Sequence, residues 1–245
     1  GLSLPGSPER LAHDLHRRGP PPPALEGDRA LSDQHLGSVR GGERRHAVGI
    51  QGGKNHLIEG NYCEDTGTAI ELYAFVWHEM QDNIVRWNFT KDATYRLTSG
   101  SGVIFSGTHG SSPGMRSGNM YYGNIASNCE GAANAASPPD TIWFYDNVGQ
   151  NCDTGMSSWT RDYGPYWVGA NNAYINMRTR QAFFSNGHGT SDWSLDWDHN
   201  LYYPQDIPGQ SEFYHRDYGY MTFNQWQAST GEDQNAISAD PLFVN

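Results

Sequence analysis

The chain has 245 residues, of which 36% are hydrophobic and 13% aromatic, with 29 glycines, eight tryptophans and fourteen tyrosines. That composition excludes global disorder and suits a β-rich chain with many turns better than a helical bundle. The formal net charge of -11 argues against nucleic acid and anionic membrane as partners, while an acidic surface suits neutral substrates or calcium.

No stretch reaches the apolar length of a membrane span, and no signal peptide opens the chain. The cysteines, Cys63, Cys129 and Cys152, have no CxxC spacing and form neither a disulfide framework nor a zinc motif.

Residues 1–46 read as a poorly structured or capping leader. They carry a four-proline run, no sustained hydrophobic period, and seven of the sixteen basic residues. Proline at Ser7-Pro8-Glu9 fits the start of a short helix holding Leu11 and Leu15. From residue 47 to 245 a repeat takes over. Its pieces are NHLIEGN ending at Asn61, DNIVRWN at Asn88, GNMYYGN at Asn124, TIWFYDN at Asn147, ANNAYIN at Asn176 and SLDWDHN at Asn200. Successive asparagines stand 27, 36, 23, 29 and 24 residues apart.

Each piece is a short strand closing on an asparagine, followed by turn residues and a second strand. Such a unit suggests a solenoid whose coils stack about 4.8 Å apart, with the asparagines bonding amide to amide in a ladder. The rival architecture is an antiparallel sandwich rich in asparagine turns.

The ladder pattern and the segment FNQWQASTGEDQNAISADPLFVN resemble the right-handed parallel β-helix, or pectate-lyase-like, family over residues 47–245. The terminal series in question is Trp226, Gly231, Asp233, Ser238, Asp240, Pro241, Leu242 and Phe243. The resemblance implies an all-β right-handed parallel β-helix, short or truncated beside longer relatives, with an irregular leader. It also implies a polysaccharide lyase or glycoside hydrolase, secreted or extracytoplasmic, working on a polysaccharide in a groove along the helix. An exposed solenoid end would offer a homodimer contact.

Stacking turns equal offsets into rows. Two positions before the asparagines stand Glu59, Arg86, Tyr122, Tyr145, Tyr174 and Asp198, a row that reads as a sugar-stacking platform or as ordinary half-exposed strand tyrosines. Alternation puts Ile58, Val85, Tyr121, Phe144, Ala173 and Trp197 in the core. Four positions after come Asp65, Asp92, Asn128, Asn151 and Arg180, with Glu64 and Lys91 just before and Asp153 just after.

Asp65 and Asp92 on adjacent coils would share a proton or a cation. Those outcomes suit glycoside hydrolysis, or a calcium-assisted lyase with Asp65, Asp92 and Asp153 as ligands and Lys91 and Arg180 as base or clamp. Arg178 is a further clamp for a substrate carboxylate. The plain alternative is that these acids serve turns, as Asp-Thr-Gly does twice. Cys129 and Cys152 share an offset and form either a disulfide or a buried thiol pair.

His188, in NGHGTSDW, echoes a Gly-His-Gly of the polygalacturonase branch, but no Arg-x-Lys follows it. It counts as a substrate-binding candidate beside Asp192. Two further functions stay open: hydrolysis of esters or lactones by metal- or acid-activated water, and a non-catalytic glycan-binding or structural module. Gly-x-Ser-x-Gly is absent, so a serine nucleophile elbow has no support.

Overall fold

The structure, a computed structural model, describes residues 46–74, 80–93, 104–108, 118–136, 141–160, 166–186, 194–204 and 212–241. The leader expectation for residues 1–46, apart from His46, lies outside them, as do His188 with Asp192, and Leu242 and Phe243.

The chain is a parallel β-solenoid with three main sheets. Sheet I has eight strands, His46–Gln51, Thr68–Ala74, Ile104–Thr108, Gly131–Ala136, Thr154–Thr160, Arg180–Asn186, Phe213–His215 and Gly219–Met221. Only its last two strands pair antiparallel. Sheet II stacks Leu57–Glu59, Ile84–Arg86, Asn119–Tyr122, Ile142–Tyr145, Tyr166–Ala170 and Ser194–Asp198. Sheet III stacks Tyr62–Glu64, Phe89–Lys91, Ile125–Ser127, Val148–Gln150, Ala173–Ile175 and Leu201–Tyr203. The sandwich alternative falls, because every pairing inside sheets II and III is parallel.

Between sheets II and III runs the ladder. The Nδ2 of Asn61 donates to Oδ1 of Asn88 at 2.9 Å, and the same bond repeats to Asn124, Asn147, Asn172 and Asn200 at 2.9–3.0 Å. Asn200 donates in turn to Oδ1 of Asp233 at 2.9 Å. The second amide proton of Asn88, Asn124, Asn147 and Asn172 goes to a backbone carbonyl of the preceding coil, as from Asn124 to Val85 at 2.9 Å. Each Oδ1 from Asn88 to Asn200 also accepts a backbone N–H, as Asn88 accepts from Asn61 at 3.0 Å. The amides of Asn88, Asn124, Asn147 and Asn172 are therefore saturated.

Asn172, not Asn176, is the fifth ladder member. Every ladder asparagine follows a residue with positive φ: Gly60, Trp87, Gly123, Asp146, Asn171 and His199. Asn176 follows Ile175, a β-branched residue that resists that conformation. It belongs instead to the next corner, where Asp65, Asp92, Asn128, Asn151 and Asn176 all have φ of 54–55°. A second, shorter ladder joins Asn83 to Asn119 at 2.9 Å at the entry to sheet II.

The core follows the alternation expected of sheet II, with Ile58, Val85, Tyr121, Phe144 and Trp197 buried. In the fifth coil Gly169, rather than Ala173, occupies that row. A Cβ there would collide with the Trp197 ring, so the glycine makes room for the largest side chain. The matching interior row of sheet III is Cys63, Thr90, Ala126, Gly149, Tyr174 and Tyr202.

The helix Phe223–Thr230 closes the last coil. A Thr222–Gln225 capping box starts it and Gly231, at φ 77°, ends it. Trp226 stacks on Phe184 and Phe213 with ring centroids 5.7 and 5.4 Å away. Its Nε1 donates to Oδ2 of Asp233 at 3.0 Å, where Tyr202 Oη also donates at 2.7 Å. No helix was expected from the repeat, although Thr222-x-x-Gln225 is a capping-box signal in the sequence.

The ladder can be tested by breaking one link. Asn124→Ala strands the Asn88 and Asn147 amides and the Val85 carbonyl, and should cost on the order of 3 kcal/mol in urea unfolding. Asn124→Asp should not restore that loss at neutral pH, since a carboxylate accepts but cannot donate and the ladder needs both.

Asp233 makes stability depend on pH. Burial raises its carboxyl from 3.8 to about 7, against the pull of Asn200, Tyr202 and Trp226. The folded protein therefore holds a proton that the unfolded chain releases between pH ~4 and ~7. That contribution to stability is complete below about pH 4 and lost as pH rises through about 7, a change on the order of 4 kcal/mol. Glu232, also raised to about 7 by burial, acts in the same sense. His215, lowered by burial, acts in the opposite one. Urea titrations from pH 4 to 8 should show a shallower decline in Asp233→Asn than in the unmodified protein.

Candidate functional site

The corner leaving sheet III gathers much of the expected acidic site into one exposed chain of contacts. Register pairs Glu64 with Lys91 on the neighbouring coil. Lys91 Nζ lies 2.9 Å from Glu64 Oε1 and 3.3 Å from Asp92 Oδ2. Tyr62 Oη donates to Glu64 Oε2 at 2.9 Å. The Asn128 amide donates to Asp92 Oδ1, and Arg178 Nη1 donates to Asn128 Oδ1 at 3.1 Å. Arg178 Nε also meets Asp153 Oδ1 at 2.5 Å, and Nη2 donates to the Cys129 carbonyl at 3.2 Å.

The electrostatics favour the charged forms of Glu64, Lys91 and Asp92. Lys91, and then Tyr62, hydrogen-bond to Glu64 and lower its pKa. Asn128, and then Lys91, do the same for Asp92. Lys91 is raised by its bonds to Glu64 and Asp92. A general acid needs a raised carboxyl and a lysine base needs a lowered ammonium, and the shifts of Glu64, Asp92 and Lys91 run the other way.

Asp65 is exposed at its positive-φ corner, with its N–H donated to the Lys91 carbonyl at 3.2 Å. Asp65, Asp92 and Asp153 do not assemble a metal site: among the described residues no group of three or more His, Cys, Asp or Glu could hold a metal ion. The reason is the coil spacing. Asp65 and Asp153 lie on the first and fourth coils, roughly 14 Å apart along the stack, well beyond a shared coordination sphere.

The Arg180 side chain leaves this corner, although its N–H still donates to the Asp153 carbonyl at 3.1 Å. The shift of the ladder from Asn176 to Asn172 gives its row position to Asn176 and places Arg180 at the start of a sheet I strand. There its guanidinium lies 4.7 Å from the centroid of Phe183 and 5.5 Å from that of Tyr220. Tyr214 stacks on Phe183 at 4.6 Å and tilts against Tyr220 at 4.8 Å. Sequence reasoning missed this aromatic group, because Arg180 and Phe183 come from one strand and Tyr214 and Tyr220 from the final hairpin.

The tyrosine row also changes by one member. Tyr174 is 3% exposed and stacks on Tyr202 inside the solenoid at 5.6 Å, so it cannot touch a substrate. Ala170 takes its place in the outer row. Tyr122 and Tyr145 do face outward on neighbouring strands of sheet II, both half-buried. Trp143 joins Tyr145 on the same outer face, with ring centroids 5.9 Å apart.

The row is tied together from its other end: Arg86 meets Glu59 Oε2 at 2.6 Å and donates to Tyr122 Oη at 2.7 Å. Period-two alternation, with Ile142 and Phe144 inward, is the signal that marks Trp143 as outward.

Cys129 and Cys152 are buried, unbridged thiols on adjacent coils. Their hydrogen bond to each other lowers Cys129 and raises Cys152. Cys63 is raised to about 11 by burial, so none of the three is an exposed reactive thiolate.

No family model, curated protein or solved structure matches this chain at a significant level.

Removing the charge at the corner checks its electrostatics. In Lys91→Met, carboxyl NMR titrations should show Glu64 and Asp92 both titrating at higher pH than in the unmodified protein. The thermal midpoint should hardly move, because the pair is exposed.

Proposed function

We propose that this solenoid binds carbohydrate along the outer face of sheet II. The observation that carries the reading is the half-exposed aromatic row formed by Tyr122, Trp143 and Tyr145, with Arg86 and Glu59 fixed at its end. Aromatic faces suit the apolar faces of pyranose rings, and phenolic hydroxyls add hydrogen bonds at the rim. Parallel coils repeat the platform at strand spacing, so an extended polymer can engage several coils at once.

A second reading keeps catalysis. The asparagine ladder and the buried Trp226 and Asp233 support a likeness to the pectate-lyase-like family, and with it a polysaccharide lyase or hydrolase. Among the described residues no three His, Cys, Asp or Glu side chains gather, so calcium in that reading would draw on backbone or amide oxygens, water or carboxylates supplied by the substrate. Ester or lactone hydrolysis has no comparable observation behind it.

Calorimetric titration with soluble polysaccharides tests the binding reading. The unmodified protein should bind at least one, and Trp143→Ala and Tyr145→Ala should each weaken it about tenfold or more, as loss of a stacking contact of about 1.4 kcal/mol implies. Undiminished affinity in both variants, or no binding to any polymer, would refute it. Release of unsaturated products or new reducing ends would establish the catalytic reading instead.

A further inference from the structure

Trp87 stands where every other coil uses a residue suited to a left-handed turn. Its counterparts are Gly60, Gly123, Asp146, Asn171 and His199, and Trp87 shares their positive φ at 54°. A bulky side chain in that region is strained, and such strain persists where the surroundings hold it in place. The strain is not offset by burial, since Trp87 is 59% exposed.

The surroundings do fix the indole. The Arg86 guanidinium lies 4.1 Å from the ring centroid, and Tyr122 meets it edge-on at 6.3 Å and 86°. Gly123 on the next coil supplies the seat: a Cβ there would come within 2.7 Å of Trp87 Cδ1. An exposed ring is thus oriented beside the Tyr122 end of the sheet II platform.

Its charge environment narrows the ligand. Arg86 is the cation against the indole, and it is already neutralised by Glu59 at 2.6 Å, with a further bond to Tyr122 at 2.7 Å. The protein as a whole carries a net charge of -11, which repels anionic polymers. An acidic sugar would have to compete with Glu59 for that guanidinium, whereas an uncharged pyranose needs only the ring face and the polar groups around it.

We infer that Trp87, oriented by Arg86, Tyr122 and Gly123, is the principal stacking residue of a subsite for neutral sugar units at the corner between sheets II and III. This rests on the carbohydrate-binding reading above.

The test uses Trp87→Asn and Trp87→Gly in the full chain. Both replacements suit the left-handed turn, so the thermal midpoint should stay level or rise. Titration with soluble β-glucan, xylan and galactomannan should show affinity for whichever polymer the unmodified protein binds falling tenfold or more. Gly123→Ala, which crowds the indole, should weaken the same binding.

Variants that bind as well as the unmodified protein would overturn the assignment of Trp87 while leaving carbohydrate binding intact. A fall in thermal midpoint in both would mark the indole as structural and overturn it as well. Tighter binding of polygalacturonate than of all three neutral polymers would overturn the neutral-sugar class. Failure of the unmodified protein to bind any of the four would instead bring down the reading on which the inference rests.

Discussion

The asparagine ladder between sheets II and III is the constraint on which this architecture depends. Each amide donates in one direction, from Asn61 through Asn200, and the series ends on the buried Asp233 carboxyl group. Aligned amide dipoles polarise one another, and an accepting carboxyl oxygen at the far end suits that alignment. The same amides take up backbone groups at the corner that the sheets cannot pair. A corner of this kind would otherwise bury unsatisfied carbonyls and amides on every coil. The helix Phe223–Thr230 matters for the same reason, since its Trp226 both covers the last coil and supplies a donor to Asp233.

Once the corner is fixed, side-chain rows follow without further specification. Glu59 meets Arg86, and Glu64 meets Lys91, because each pair sits in register on neighbouring strands. Large interior residues demand matching gaps, as Trp197 does with Gly169. The outward rows are freer, and the aromatic residues that the carbohydrate reading uses are among those that the fold does not require. Tyr145 and Trp143 fill no interior space, and Trp87 works against its own backbone.

The solenoid was legible in the sequence because its defining interaction is made by one residue type at one corner. Asn61, Asn88, Asn124, Asn147 and Asn200 all stand in the ladder where the repeat put them, and the inward row of sheet II follows from alternation. Asn176 misleads because it is the last asparagine of its piece. The physical rule concerns the preceding residue, which must accept positive φ, and Asn171-Asn172 satisfies it whereas Ile175-Asn176 does not. That single shift of four residues moved Tyr174 into the core and Arg180 onto sheet I. Asp65 and Asp92 do stand at equivalent corners of neighbouring coils, but the contacts of that corner depend on Asn128 and Arg178 from other coils, whose side-chain geometry no spacing reveals.

The same stacking that creates a row of acids tends to neutralise it. Adjacent coils bring unlike charges to hydrogen-bonding distance as easily as like ones, and here Lys91 lies between Glu64 and Asp92 while Arg178 bridges Asn128 and Asp153. A general-acid carboxyl requires the opposite arrangement, a site that penalises its charge, whereas a nucleophilic or base carboxylate works ionised. In this chain the strongly raised carboxyls, Glu232 and Asp233, sit at the closing end, where Trp197 and the ladder use them structurally. Among the described residues the raised carboxyls therefore serve the closing end, the corner acids pair with cations, and the outer aromatic face of sheet II lies outside both arrangements.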